Sequence, residues 1–230
     1  MGDYQISARK YRPKSFNEVV GQEVITSTLE NAVTTKQLSQ ALLFTGPRGV
    51  GKTSCARILA RMINEGGIDK DNDYSFNIFE LDAASNNGVD GIRNLTDQIR
   101  IPPQTGHFKV YIIDEVHMLS SSAFNAFLKT LEEPPKHCVF ILATTEKHKI
   151  IPTILSRCQI YDFKKISVED ISSYLINISK KEKVKYNENA ITVIAKKADG
   201  SMRDALQIYD RILNSKTNEI SIENVMESLN

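Results

Sequence analysis

Residues Gly46-Pro47-Arg48-Gly49-Val50-Gly51-Lys52-Thr53 decide the fold, because they form a glycine-rich loop that ends in lysine and threonine. The loop follows the apolar run Ala41–Thr45 and precedes an apolar stripe at helical spacing that starts at Cys55. Strand, loop and helix in this order are typical of a phosphate-binding loop. An ordinary glycine-rich turn is the alternative, and the flanking strand and helix argue against it.

The residue types of this loop suit a nucleoside triphosphate. Glycines let backbone N–H groups approach phosphate oxygens without an obstructing Cβ, and the helix N-terminus adds partial positive charge. Lys52 is expected to contact the β- and γ-phosphates, and the Thr53 hydroxyl to ligate Mg²⁺. The predicted nucleotide-binding residues are Gly46, Pro47, Arg48, Gly49, Val50, Gly51, Lys52, Thr53 and Ser54.

Two acids end a second apolar run, Val110-Tyr111-Ile112-Ile113-Asp114-Glu115. The carboxyl ends of parallel strands share one edge of the sheet, where the phosphates are expected. Asp114 is predicted to hold Mg²⁺, and Glu115 to orient and polarise the attacking water. Solvated turn residues are the alternative, but beside the loop the two acids favour a nucleotide triphosphatase.

Strands and helices alternate between residues 40 and 163. The strand runs are apolar on successive residues, as expected when helices cover both faces of a parallel sheet. The predicted strands are 41–45, 77–81, 109–114, 138–143 and 160–163. We therefore predict an α/β fold with a five-stranded parallel sheet.

After Lys165 the strand pattern stops, and apolar residues recur only at helical spacing. Ser167 and Ser201 are predicted N-caps, and Gly200 a helix stop. The stretch 65–77, with two glycines and several acids, is predicted to be a solvated loop. We predict a nucleotide-binding domain over 1–165 and a small all-α domain over 166–230.

The composition is that of an ordinary globular protein. The 230 residues carry 29 Lys and Arg against 28 Asp and Glu, for a net charge of +1, which disfavours a protein that coats nucleic acid. The apolar runs are too short for a bilayer, and the N-terminus lacks a secretion signal. Three widely separated cysteines fit a reducing compartment, so a cytoplasmic protein is expected.

Further motifs resemble a known family. They are Arg9-Lys10-Tyr11-Arg12-Pro13, Val19-Val20-Gly21-Gln22-Glu23, Glu80 to Asp90, Asp114 to Leu119, Leu131-Glu132-Glu133-Pro134-Pro135, Ser156-Arg157-Cys158 and Gly200 to Leu206. Together they resemble the gamma/tau ATPase subunit of the bacterial DNA polymerase III clamp loader, in the AAA+ superfamily. The resemblance covers nearly the whole chain, and Ser-Arg-Cys after Ala-Thr-Thr is its most specific part. It makes the C-terminal helices a lid domain.

The resemblance implies roles for three residues. Arg157 resembles the arginine finger that reaches the γ-phosphate of a neighbouring subunit, a task that suits a planar, permanently charged guanidinium. Thr145 falls at the sensor 1 position, and Arg203 resembles sensor 2, which touches the nucleotide of its own subunit. Each residue also has a simpler interpretation that needs no resemblance. Arg157 would be a surface charge, Thr145 a threonine that ends a strand, and Arg203 a charge at a helix end.

The resemblance also implies contacts with adenine and DNA. Tyr11, Arg12, Pro13, Val19 and Val20 resemble the adenine pocket, although a turn and core valines are an alternative. In the family, helices after the second and third strands line a central chamber and follow the DNA backbone. The candidates for such contacts at the start of one of these helices, or along it, are Ser85, Asn86, Asn87, Arg93 and Arg100. Plain surface solvation is the alternative. The implied partners are the delta and delta-prime subunits, further gamma/tau copies, the sliding clamp and primed DNA, with no membrane.

The chain departs from the family pattern in two places. Gamma/tau subunits usually carry four zinc-binding cysteines before the second strand, whereas the segment Met62 to Asp69 has none, so no structural zinc is expected. Cys55 is predicted to be core, and His117, beside the acids, is the one histidine of interest. The sequence stops where the collar domain of the family would begin, so we expect the ATPase module of a longer protein.

Three functions are compatible with these motifs. The favoured one is a clamp-loader ATPase that uses ATP and Mg²⁺ to load the sliding clamp onto primed DNA. Another AAA+ DNA motor, such as a branch-migration or remodelling ATPase, is the alternative. A delta-prime-like subunit without productive nucleotide binding is the third, and the intact Lys52, Thr53 and Glu115 argue against it.

Overall fold

The computed structural model describes residues 6–65, 74–104, 106–214 and 219–229. The strands in these ranges are β1 (Ala41–Thr45), β2 (Ile78–Asp82), β3 (Lys109–Asp114), β4 (Cys138–Thr144), β5 (Gln159–Asp162), β6 (Lys185–Tyr186) and β7 (Glu219–Ile220). The α-helices are α1 (Ser7–Lys10), α2 (Glu23–Thr34), α3 (Lys52–Glu65), α4 (Val89–Ile99), α5 (Ser121–Glu132), α6 (Pro152–Leu155), α7 (Val168–Glu182), α8 (Glu188–Lys197), α9 (Met202–Leu213) and α10 (Ile222–Leu229). Short 3₁₀ turns cover Phe16–Glu18, Tyr74–Asn77, Val116–Met118 and Lys147–Lys149.

Strands β1 to β5 form the predicted five-stranded parallel sheet. The order of its strands is β2-β3-β4-β1-β5. Strand β4 lies between β1 and β3, with Thr45 opposite Thr144 and Ile113 opposite Leu142. The chain leaves β1 for the far edge strand β2, so strand order switches beside β1. A crevice at the carboxyl ends of the strands is the usual binding place in such sheets.

The sheet forms because its strands can be buried on both faces. Every residue of β1 and β4 is buried, which matches their continuous apolar runs. Between the helices and the sheet, Tyr111 stacks on Phe140, and Phe127 of α5 meets Phe140 edge-on. The predicted bounds of β1 and β3 are confirmed, and those of β2, β4 and β5 were wrong by one residue at one or both ends.

Two compact units can be separated within the chain. The sheet unit comprises 24–46 and 52–163, and the helical unit comprises the described parts of 1–23, 47–51 and 164–230. Residues 6–23 and 47–51 thus group with the C-terminal helices, whereas the sequence analysis assigned them to the nucleotide-binding domain. These units are not the same as the predicted domains, so the domain boundary between residues 165 and 166 stays a prediction.

The helical unit has its own apolar core, which includes Ile171, Leu175 and Ile194. Both predicted N-caps are confirmed: the hydroxyl of Ser167 accepts from the N–H of Asp170, and that of Ser201 from the N–H of Asp204.

Two sequence-based expectations for the helical unit were wrong in detail. Strands do not stop at Lys165, because β6 pairs in parallel with β7. Each of these strands is only two residues long, which is too short to produce an alternating pattern. Helix α8 ends at Lys197, three residues before the predicted stop, and both Asp199 and Gly200 adopt positive φ.

The predicted loop 65–77 lies largely outside the described residues. Its described part begins with Glu65, the last residue of α3, and continues with the 3₁₀ turn Tyr74–Asn77. Of the helices in the described ranges, none combines the length and apolar character needed to cross a membrane.

Candidate nucleotide-binding site

The loop between β1 and α3 has a backbone that requires glycine. Gly46, Gly49 and Gly51 have φ values of 132°, 75° and 106°, a region that side chains with a Cβ rarely adopt. In the sheet unit, a Cβ on Gly46 would lie 2.3 Å from the carbonyl oxygen of Phe163. In the helical unit, a Cβ on Gly49 would lie 2.1 Å from the hydroxyl oxygen of Ser201. Chain geometry and packing thus select glycine at both positions.

Lys52 is the first residue of α3 and is only 6% exposed, so its ammonium group is held within the protein. Its Nζ donates a hydrogen bond of 2.8 Å to the carbonyl oxygen of Gly46. Burial lowers the pKa of Lys52, while the nearby carboxylates of Glu115 and Asp114 act in the opposite direction. A buried cation between a carbonyl and two acids is well placed to receive a polyanion.

Thr53 and Asp114 meet across the sheet edge. The Thr53 hydroxyl donates 2.7 Å to Oδ2 of Asp114, and Oδ1 of Asp114 accepts 3.0 Å from the N–H of Glu115. Both side chains are oxygen donors, which is the ligand type that Mg²⁺ prefers. The pair predicted to hold Mg²⁺ is therefore brought together, and its chemistry fits that ion.

Glu115 has a left-handed backbone, with φ 47° and ψ 45°. Its Oε2 accepts hydrogen bonds from Thr145, 3.0 Å from the hydroxyl and 3.3 Å from the backbone N–H. The predicted base and the predicted sensor 1 residue, thirty positions apart in sequence, are thus in direct contact. Thr145 fixes the carboxylate of Glu115 at the end of β3.

His117 connects this acid to a second one. The side chain is 6% exposed, and its Nδ1 lies 2.9 Å from the Thr144 hydroxyl and 3.4 Å from Oε2 of Glu115. Its Nε2 lies 3.0 Å from Oε2 of Glu146. Sequence reasoning noted His117 but missed Thr144 and Glu146. The only sequence signal was their position at the end of β4, where Thr144 is the last strand residue and Glu146 lies two residues further on.

Arg157 follows α6 and contacts none of the other predicted site residues in the described part of the chain. Its guanidinium donates to the Thr153 carbonyl at 2.7 Å and to Oε1 of Glu132 at 2.8 Å. A finger that acts on a neighbouring subunit is expected to lie away from its own phosphate loop. Its role as such a finger stays a prediction.

In the helical unit, Arg203 is the second residue of α9 and its side chain is exposed. Its backbone N–H points at the Gly49 carbonyl oxygen, with a long N···O distance of 3.4 Å. The helix that carries the predicted sensor 2 residue therefore begins beside residue 49 of the loop.

The residues predicted to form the adenine pocket also lie in the helical unit. Val19 is buried, and a Cβ on Gly51 would lie 3.8 Å from its Cγ1, so Val19 adjoins the loop. The Tyr11 hydroxyl bonds to Glu182, and the Tyr11 carbonyl accepts from the Tyr174 hydroxyl at 3.1 Å. Burial, and then Glu182, raise the pKa of Tyr11. Pro13 and Val20 are half-buried, and Arg12 is exposed.

The proposed DNA-facing residues need one correction. Helix α4 begins at Val89 with Gly88 as its N-cap, so Ser85, Asn86 and Asn87 precede the helix. Asp82 explains this, because its carboxylate accepts from the backbone N–H of Ala84 and from the hydroxyl of Ser85 and so closes a turn. All five candidate side chains are exposed. Ser85, Asn86 and Asn87 lie before α4, Arg93 lies on the helix, and Arg100 directly follows it.

Within the described ranges, no group of three or more His, Cys, Asp and Glu side chains is arranged to hold a metal ion. Cys55 and Cys138 are buried, and burial raises the pKa of their thiols to about 12 and about 11, which disfavours the thiolate that zinc needs. Residues 66–69 of the segment without cysteines lie outside the described residues. The expectation of no zinc site stays a prediction.

Comparison with known proteins shows which family has this sequence. A family model described as "DNA polymerase III, delta subunit" matches residues 21–167, and one described as "DNA polymerase III clamp loader subunit, ATPase lid domain" matches residues 170–214. The chain belongs to the DNA polymerase III clamp-loader subunit family. The second match coincides with helices α7 to α9 of the helical unit.

Curated relatives in this clamp-loader family are named as tau and gamma subunits. The tau subunit of Bacillus subtilis (strain 168) is 48% identical over 97% of this chain and 42% of its own length. For the tau subunit of Escherichia coli (strain K12), the identity is 43% over 98% of this chain and 37% of the relative. The chain thus spans about two fifths of the length of these relatives.

Solved structures show the same fold. RuvB of Thermotoga maritima, a Holliday junction branch migration motor, aligns with a TM-score of 0.73 over 95% of this clamp-loader chain and 72% of that one. The identity is 22%, so the likeness concerns the fold alone: a five-stranded parallel sheet and a helical unit in one chain. The predicted fold class is confirmed.

Proposed function

We propose that this chain is the ATP-binding and ATP-hydrolysing part of a DNA polymerase III clamp-loader subunit, and that its ATP cycle drives loading of the sliding clamp onto primed DNA. The observation that carries the proposal is the group formed by Lys52, Thr53, Asp114 and Glu115. One cation, one hydroxyl and two carboxylates at the carboxyl edge of a parallel sheet are the parts that phosphoryl transfer from a nucleotide needs.

ATP binding rests on the loop 46–53. Its glycines free backbone N–H groups to face the phosphates, and Lys52 supplies positive charge for the β- and γ-phosphates. Thr53 and Asp114 would hold Mg²⁺, which neutralises the charge that develops on the phosphates. Val19, beside Gly51, supports an adenine site next to the loop, to which we also assign Tyr11, Arg12, Pro13 and Val20.

Hydrolysis needs a water molecule aimed at the γ-phosphorus. Glu115 orients and polarises this water, and Thr145 holds the Glu115 carboxylate through two hydrogen bonds. We also assign to Thr145 the sensor role towards the γ-phosphate, which its contact with Glu115 supports. Arg157 supplies positive charge to the ATP of a neighbouring subunit, and Arg203 to the ATP of its own.

The chain does not form phosphodiester bonds in this scheme. ATP would close a ring of subunits that includes delta, delta-prime and further gamma/tau copies, and the closed ring would open the clamp and hold primed DNA. Hydrolysis would then release the loader. We expect these events in the cytoplasm and with no membrane partner.

The test is ATP turnover by the full-length subunit, alone and assembled with its partner subunits, clamp and primed DNA. We expect turnover to rise when all components are present, and Lys52→Ala to abolish ATP binding and turnover. Unchanged ATP binding in Lys52→Ala would overturn the proposal. The exposed Lys36, in the turn after α2, gives a control, Lys36→Ala, that should behave as wild type.

The alternative motor function has one observation in its favour, the fold shared with RuvB. That likeness is at 22% identity, whereas the tau and gamma relatives are at 39–48%. Stimulation of turnover by a four-way junction, and not by clamp with primed DNA, would favour the motor.

A further inference from the structure

We propose that Glu132 is the positioning residue for Arg157, fixing its guanidinium so that the remaining N–H donors face a phosphate from outside the chain. The inference rests on the proposed function, in which Arg157 acts on the ATP of a neighbouring subunit. Glu132 itself touches neither nucleotide nor water in this scheme.

The backbone of Arg157 is already fixed by the turn that ends α6. Its N–H donates 3.0 Å to the carbonyl of Ile154, and the N–H of Cys158 donates 3.1 Å to the same oxygen. Ile154 is fully buried and belongs to the apolar core of the sheet unit. Only the long side chain of Arg157 therefore remains to be ordered.

Three contacts order that side chain. One terminal nitrogen donates to the Thr153 carbonyl at 2.7 Å and to the Ser156 hydroxyl at 3.3 Å, and the other donates to Oε1 of Glu132 at 2.8 Å. A guanidinium has five N–H donors, so these contacts leave two of them for another acceptor. The two that remain are the Nε–H and one N–H of the nitrogen that contacts Glu132, and an arginine can bind a phosphate through two such donors.

Helix stability does not explain the position of Glu132. It is the last residue of α5, where the helix carries partial negative charge and an acid is unfavourable. Buried Phe127 and Leu131 anchor this end of the helix, so the backbone that carries Glu132 is held in place. The negative charge of Glu132 is thus unfavourable for α5, but it pairs with Arg157. This pairing fits a role in positioning Arg157 and not in stabilising the helix.

The contact is also open to an incoming subunit. The side chains of Arg157 and Glu132 are 35% and 47% exposed. Ion pairs with this exposure contribute little to folding. Removal of Glu132 should therefore leave the fold intact, and its effect should fall on catalysis through Arg157.

The experiment measures steady-state hydrolysis by the full-length subunit assembled with partner subunits, clamp and primed DNA. For Glu132→Ala we expect kcat about tenfold lower with unchanged KM, since small misplacement of a catalytic group has effects of this order or larger. Glu132→Gln, which keeps an acceptor but not the charge, should lie between Glu132→Ala and wild type. Glu133→Ala, which removes the exposed acid next in sequence, should match wild type.

A double-variant comparison separates this proposal from the proposed function. Arg157→Ala should lose far more activity, and adding Glu132→Ala to it should change nothing further. Full activity of Arg157→Ala would refute the finger role of Arg157 and with it the role of Glu132, while ATP hydrolysis by the chain would stand. A loss of activity in Arg157→Ala would support the finger role. The role of Glu132 would still be refuted if Glu132→Ala were as active as wild type or more active. It would also be refuted if Glu132→Ala lowered the activity of Arg157→Ala further.

Discussion

The Thr53 hydroxyl donates a hydrogen bond of 2.7 Å to the carboxylate of Asp114. The first turn of α3 is thereby joined to the end of β3, and the oxygen atoms of the two side chains lie side by side. Preorganised oxygen ligands favour a small, hard cation, because little has to move when it binds.

Thr53→Val should weaken Mg²⁺-dependent ATP binding by about tenfold or more, near 1.4 kcal/mol, while binding in excess chelator stays as in wild type. The change removes the hydroxyl and nearly preserves the shape. Titration of a fluorescent ATP analogue with and without Mg²⁺ measures both affinities. Thr53→Ser keeps the hydroxyl and should bind as wild type; equal affinities for valine and threonine in Mg²⁺ would refute the ligand role.

Glu115→Gln should retain ATP binding and lose hydrolysis by several orders of magnitude, on the order of 3–5 kcal/mol of barrier. An amide can accept the hydrogen bonds from Thr145 but cannot polarise water as a carboxylate does. Nucleotide titration and a phosphate-release assay separate the two effects. Glu30→Gln, at an exposed position of α2, is the control. Near-normal turnover would mean that another group is the base.

Gly49→Ala should lower the free energy of unfolding by about 2–4 kcal/mol, from left-handed strain and a clash with the Ser201 hydroxyl. It should also weaken ATP binding, because the loop would shift. Urea unfolding measures the first effect. Gly91→Ala in α4 makes the same chemical change where only the carbonyl oxygen of Asn86 lies near, at 3.9 Å, and should raise stability by about 0.5–1 kcal/mol. The idea fails if both variants shift stability alike.

ATP affinity should fall as the pH rises through the pKa of Lys52. Burial holds this pKa below the ordinary value of 10.5 in the free protein, and bound phosphates favour the charged ammonium. The complex must therefore take up a proton once the free lysine has lost its own, and binding weakens with rising pH. Calorimetric titration of the protein with ATP measures this proton uptake. It is done above about pH 8, because phosphates, with a last pKa of about 6, are fully ionised there and do not contribute. Lys52→Arg should show none, and a flat affinity for the wild type would contradict the expectation.

The sequence was sufficient for the parts of the fold that depend on local pattern. Strands β1 and β3 were bounded correctly because their apolar runs end in a loop glycine and in paired acids. Strands β6 and β7 were missed because two residues show no period, and the start of α4 was misplaced because the Asp82 side chain closes a turn first. Pattern alone has no means of anticipating either.

The candidate site divides in the same way. Lys52, Thr53, Asp114 and Glu115 were accessible from local sequence, since the first two end the glycine-rich loop and the last two end the apolar run of β3. The contacts of Thr145 with Glu115, and of Arg157 with Glu132, join residues 30 and 25 positions apart. Such pairs depend on how strands and helices are arranged in space, and only coordinates reveal them.

The left-handed backbone of Glu115 has an evolutionary consequence. A glutamate in this conformation costs about 1–2 kcal/mol, whereas glycine would adopt it freely. A glycine here would favour folding but would supply no carboxylate. The glutamate found at this position therefore indicates that the direction in which the backbone aims its carboxylate outweighs the lost stability.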